Sequence, residues 1–103
     1  MIRHIVMFSF KDEAEGCTKA ENVQKTKEML DALPGKIEWI RAQTIAVNAD
    51  AASKDNFDLV LVSDFDSFED LQAYQVHPDH VAVGTFMRPR RIARACVDFE
   101  IEL

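Results

Sequence analysis

The chain has 103 residues, 48% of them hydrophobic and 29% charged, and a net charge of -6; this is one domain, residues 1–103, with a core that buries roughly 60 to 65% of the unfolded surface. That balance excludes a disordered or fibrous protein and disfavours nucleic acid as a partner. With no signal peptide and no apolar run near about 18 residues, neither secretion nor membrane insertion is expected, and the expected location is cytoplasmic.

From Ile2 to Phe10 the residues alternate as in a strand, with Ile2, His4, Val6, Phe8 and Phe10 on one face and Arg3, Ile5, Met7 and Ser9 on the other. Both faces are largely apolar, which marks a central strand covered on both sides. A polar stretch, Lys11 to Cys17, leads to Thr18, which with Glu21 forms a capping-box pattern and predicts a helix from about Lys19 to Leu33. Val23, Thr26, Leu30 and Leu33 share its buried face, and Pro34-Gly35 ends it. Ile37 to Val47 reads as an edge strand with a bulge, and Asn48 to Asn56 as a polar loop.

Phe57 to Phe65 is the second strand that is apolar on both faces, with Phe57, Leu59, Leu61 and Phe65 opposite Val60 and Val62. Ser67 and Asp70 start a short helix by the same capping logic, and Pro78 breaks it so that a fresh turn begins at Asp79 and runs through Val83 and Phe86. Ile92 to Leu103 reads as a last strand, with Ala95, Val97, Phe99, Ile101 and Leu103 alternating against Arg94, Cys96, Asp98, Glu100 and Glu102. The whole is α+β, a ferredoxin-like βαββαβ order with a four-stranded antiparallel sheet whose first and third strands are central. Two helices cover one face of such a sheet, so Ile5, Met7, Val60 and Val62 on the other need a partner, and a homodimer joined sheet to sheet is expected. His4, Val6, Phe8, Leu59 and Leu61 then lie under the helices, where Val23, Thr26 and the Tyr74 to His80 segment enclose either a small apolar pocket or a filled core.

Tyr74-Gln-Val-His77-Pro78-Asp-His80 gathers a phenol and two imidazoles beside a helix-starting proline. Histidine is the side chain most ready to exchange a proton near neutrality, and a tyrosine hydroxyl beside it suits deprotonation of a weak carbon or oxygen acid. The plainer alternative is a helix junction at which these side chains pack and hydrogen-bond. The only basic cluster, Arg88, Arg90, Arg91 and Arg94, is too short to track a phosphate backbone. It reads as a solvated turn with one or two ion pairs, with an anionic carboxylate or phosphate group of a ligand as the second reading. Cys17 and Cys96 lie far apart without a neighbouring cysteine, so both are expected to be reduced and no structural zinc site is expected.

Arg3-His4-Ile5-Val6, Leu33-Pro34-Gly35, Phe57 to Leu61 with Asp64-Phe65, the Tyr74 to His80 element and Val97-Asp98-Phe99-Glu100 together resemble the dimeric stress-responsive α/β barrel domain family over nearly the whole chain. The HPxH element beside a tyrosine is the most specific of these. The resemblance implies a dimeric α/β barrel first, because many members have no established reaction. A similar protein is a polyketide cyclase that closes its substrate by intramolecular aldol condensation. By that resemblance His80 is the general base at a carbon next to a carbonyl and Tyr74 hydrogen-bonds the carbonyl oxygen. His4, His77, Val6, Phe8, Val23, Leu59 and Leu61 are then the substrate-binding set. Leu59 stands where that cyclase has a further pocket histidine. Some relatives hold a cation on main-chain carbonyls at the end of the first helix, here near Leu30, Leu33 and Lys36, but neither a metal nor another cofactor is expected.

Three functions therefore stand beside one another. The first is an enzyme acting on a small hydrophobic carbonyl or phenolic compound by proton abstraction, of the cyclase or lyase kind. The second is a non-catalytic stress-response or ligand-binding dimer, and the third resembles cofactor-independent monooxygenases of the same barrel group.

Overall fold

Strand β1, Ile2–Phe10, alternates buried positions with less buried ones, of which Met7 alone is exposed, as expected for a central strand whose second face awaits a cover. The computed structural model describes residues 1–102. Lys11 to Cys17, expected as a plain polar stretch, carries a small hairpin of β2, Glu13–Ala14, and β3, Cys17–Thr18. Glu15 and Gly16 both take positive φ, 52° and 75°, the combination a two-residue hairpin turn demands.

Helix α1, Lys19–Asp31, begins with the expected reciprocal cap between Thr18 and Glu21 and buries Val23, Thr26 and Leu30. Asn22, which the sequence pattern leaves unassigned, is also buried on this face. Its amide nitrogen donates to the Ala14 carbonyl at 3.1 Å and its oxygen accepts from Arg90 at 3.0 Å, which ties the hairpin and the far end of the last helix to α1.

The second strand is shorter than expected. Leu33–Gly35 forms a 3-10 turn whose Leu33 carbonyl accepts from both Lys36 and Ile37, so the segment is bonded as a turn and β4 runs only over Ala42–Val47. Ile37 and Ile40 enter the core from that turn. β5, Leu59–Phe65, starts two residues later than the apolar pattern suggests, and Asp58 accepts the Phe10 N–H at 2.8 Å through its carboxylate. Helices α2, Phe68–Val76, and α3, Pro78–Met87, follow, and β6, Arg91–Glu100, closes the chain. Against the expected run from Ile92 to Leu103, that strand begins one residue earlier and ends at Glu100, with Ile101 and Glu102 outside it, and Leu103 is not among the described residues.

The four long strands pair antiparallel in the order β4-β5-β1-β6, with the first and third in the middle. The register pairs Val6 with Leu61 and Phe8 with Leu59, and these four, with His4, are buried beneath the helices. On the opposite face Ile5 lies beside Val62 and Val97, and Met7 beside Val60 and Ala95. Met7, Val97 and Phe99 there remain 38%, 54% and 39% exposed, an apolar surface without a covering layer. No helix among the described residues is long and apolar enough to cross a membrane.

Candidate functional site

Proline lacks an N–H and pushes the residue before it into extended backbone. His77 accordingly sits at φ -63°, ψ 135°, ends α2 and caps α3, its ring Nδ1 accepting the Asp79 N–H at 3.1 Å. In an unbroken helix that N–H would go to the carbonyl of Gln75, four residues back. The freed carbonyl is met instead by Nδ1 of His80 at 3.0 Å. A carbonyl only accepts, so this nitrogen carries the hydrogen and the neutral ring keeps its lone pair on Nε2. Burial pushes His80 below the ordinary histidine value, the Gln75 bond opposes this, and His4 and Arg94 add to the lowering. His80 is therefore neutral at physiological pH.

His4 reaches the same place from the sheet. Its cross-strand neighbour on β6 is Asp98, and its Nδ1 donates to Oδ1 of Asp98 at 2.5 Å. In the neutral ring the carboxylate sets the tautomer, with the hydrogen on Nδ1 and the lone pair on Nε2. Cys96, two residues before Asp98 on β6, brings its sulfur within 3.6 Å of His4 Nδ1. Burial and the neighbouring Asp98 push the Cys96 thiol up, so it stays protonated at neutral pH. His4, Cys96 and Asp98 offer ligand atoms within 4.8 Å of one another and are the set that could take a transition metal. An ion there would displace the His4–Asp98 bond.

Tyr74 packs between the two imidazoles, its ring centre 4.4 Å from that of His80 and 6.2 Å from that of His4. Its hydroxyl is buried and makes no hydrogen bond among the described residues, and the same holds for Ser63 Oγ, the cross-strand neighbour of His4 on β5. Burial raises the Tyr74 hydroxyl well above the ordinary phenol range, so it remains a protonated donor. A buried donor without an acceptor asks for one.

Beside these groups lies a cavity of about 80 Å³. Its walls are His4, Val6, Phe8 and Leu61 from the sheet, Leu30 from α1, and His80, Val83 and Met87 from α3, with Arg91 and Arg94 at β6. The space is about half that of a benzene-binding cavity, room for a reacting centre and little more. The open groove on the uncovered sheet face and the one between α1 and α3 carry no histidine or tyrosine.

Of the residues singled out from the sequence, His80, His4, Val6, Phe8 and Leu61 share the cavity wall. Tyr74 stands against His80 rather than on the wall. Three others lie elsewhere: His77 is committed to capping with its ring against Trp39, Val23 lines a surface groove with Lys19 and Asp50, and Leu59 is core outside the cavity. Asp98 and Gln75 were not among the site residues the sequence pattern selects, whereas Arg91 and Arg94 belong to the basic cluster whose second reading was an anionic group of a ligand, and the structure sets these two at the cavity. Alternation along the last strand does put Arg94, Cys96 and Asp98 on one face, but only the pairing register brings that face to His4. The ion pairs expected of the arginine cluster are absent among the described residues. Arg90 instead bonds Asn22 and the Phe86 carbonyl, and its guanidinium lies 3.8 Å from the centre of the Phe86 ring.

A family model described as the stress responsive A/B barrel domain matches residues 2–101. Among solved structures, a dimeric protein of unknown function with a ferredoxin-like fold from Bacteroides fragilis is 34% identical, with a TM-score of 0.85, and the match covers 97% of this chain and 95% of that one. A dimeric ferredoxin-like protein of unknown function from Thermobifida fusca is 29% identical, with a TM-score of 0.82 and coverage of 97% and 90%. A hydroxynitrile lyase from Passiflora edulis shares the fold at 14% identity, with a TM-score of 0.80 and coverage of 98% and 93%. No curated protein matches the chain.

Proposed function

The chain belongs to the stress responsive A/B barrel domain family, and from that premise we propose that it acts on a small carbonyl compound by removing a proton from the carbon next to the carbonyl. The observation that carries this reading is the pair of histidines on one cavity wall, each with Nδ1 committed to an acceptor and Nε2 left with its lone pair. His80 is the base, held neutral by burial. Tyr74, packed against His80 with its hydroxyl unpartnered, supplies the protonated donor for the oxygen on which negative charge develops. His4, oriented by Asp98, positions the substrate.

The protein acts as a homodimer in this reading, joined through the apolar face that bears Met7, Val97 and Phe99. Support comes from the dimeric state of the related structures from Bacteroides fragilis and Thermobifida fusca. The dimer leaves the cavity, on the other side of the sheet, within each protomer. Two free cysteines, one of them exposed, suit a reducing, cytoplasmic setting.

The cavity's small volume favours a second reading, a dimer that binds a small ligand without changing it. Exchange of the α-protons of acetone for deuterium, followed by proton NMR in heavy water, separates the two. The catalytic reading expects exchange above the buffer rate and a loss of at least about 100-fold in His80→Ala. Exchange at the buffer rate with the wild-type protein leaves the binding dimer.

A further inference from the structure

Two of the residues that line the cavity, Arg91 and Arg94, are arginines without an ion-pair partner among the described residues. The other arginines near charged groups behave differently, with Arg3 paired to Asp64 and Arg41 to Asp66. No carboxylate is among the described residues that line the cavity, and Asp98, further along β6, is engaged by His4. In a chain of net charge -6, two adjacent unpaired cations facing a cavity are not the outcome of average composition.

Their convergence has a backbone cause. Along β1 and β6 the register pairs Phe8 with Arg94 and Ser9 with Ala93, then shifts so that Phe10 pairs with Arg91. Strict alternation would set Ile92 opposite Phe10 and turn Arg91 to the uncovered face. The bulge leaves Ile92 as the extra residue, 67% exposed, and puts both arginines on the face of the buried Phe8 and Phe10. Arg94 stands close enough to the site for its charge to act on both Tyr74 and His80.

We propose that the ligand is a short oxo acid, its carbonyl inside the cavity between His4 and His80 and its carboxylate held at the mouth by Arg91 and Arg94. This rests on the reading of the cavity as a carbonyl site and narrows it to anionic substrates. A volume of about 80 Å³ admits the reacting carbonyl and its neighbouring carbons, so the carboxylate falls at the rim, where the guanidinium donors match its two oxygens. The same two charges stabilise an enolate formed inside.

The test compares acetoacetate with acetoacetamide, its neutral counterpart of the same shape, by NMR titration of the dimer at fixed ionic strength. The expected result is binding at resonances of His4 and His80 with at least about tenfold preference for acetoacetate, reduced to about twofold or less in Arg94→Ala and in Arg91→Ala. The His80→Ala variant keeps the preference. Equal binding of both compounds at the histidines overturns the anionic assignment and leaves the carbonyl site standing. An acetoacetate preference unchanged in both arginine variants also overturns it, since the anion is then held elsewhere. Binding of neither compound near His4 and His80 overturns the anionic assignment together with the carbonyl site beneath it.

Discussion

His4 and Asp98 face each other across the β1–β6 ladder, and the imidazole Nδ1 donates to the carboxylate at 2.5 Å while the ring itself is only 2% exposed. The pair is a positioning device: the acid is partly in solvent, the base is inside, and the bond between them decides which ring nitrogen faces the cavity.

Replacing Asp98 by Asn removes that decision, because an amide can serve His4 Nδ1 as donor or acceptor. Turnover of a carbonyl substrate should fall by about 10- to 100-fold. Nitrogen chemical shifts of His4 should report a mixed or inverted tautomer, a change that mere loosening of the strand would not produce. Asp98→Ala leaves the buried Nδ1–H without a partner and should cost about 1–3 kcal/mol of stability in urea unfolding at one protein concentration.

The depressed titration of His80 makes a pH prediction. As base it must be neutral, so activity should hold through pH 6.5 and fall only below that ordinary histidine value, and the acid limb should disappear in His80→Gln. Stability follows the same group. Below about pH 6.5 the unfolded chain takes up a proton on this residue that the folded chain still refuses, so the folded state loses ground as pH falls toward the lowered native value. Urea midpoints at pH 7.5 and pH 5.5 should therefore drop further in the wild type than in His80→Gln.

Val97 lies on the uncovered sheet face, on the edge strand β6 beside Ile5 of the central strand β1, and is 54% exposed. Val97→Arg should convert a two-chain species to a one-chain species in analytical ultracentrifugation, since a charge there cannot be buried against a second apolar sheet. A variant that stays two-chain would place the dimer contact elsewhere.

His77 should prove structural. His77→Ala removes the acceptor for the Asp79 N–H and should cost about 1 kcal/mol, while His77→Ser, a good cap, should recover most of it. Binding of acetoacetate should change little in His77→Ser, in contrast to His80→Ala.

Much of the architecture was legible because it is written in short-range pattern. β1 and β5 are apolar on both faces and so belong in the middle of the sheet, and Thr18 with Glu21 and Ser67 with Asp70 mark their helix starts with matched donors and acceptors. The Ile37 to Ile40 segment was misleading because burial, not pairing, keeps it apolar: the Leu33 carbonyl accepts the Ile37 N–H and the Ile37 carbonyl the Ile40 N–H, which makes turns rather than a ladder. For the site, the histidines and tyrosine stand out by residue type, but His77 and His80, three residues apart, do opposite jobs according to which side of Pro78 they occupy. Asp98 and the two arginines depend on register and on a bulge at Ile92, relations between segments more than 80 residues apart that no local pattern encodes.

The break at Pro78 also divides responsibility within the protein. Everything that aims His80, namely the turn at His77, the diverted Asp79 N–H and the freed Gln75 carbonyl, lies within six consecutive residues. The space His80 addresses is built by others, from Phe8, Leu61 and Arg94 on separate strands. A chain organised this way can trade one ligand for another by exchanging strand residues while its base keeps its orientation, so inventiveness and accuracy need not compete for the same positions.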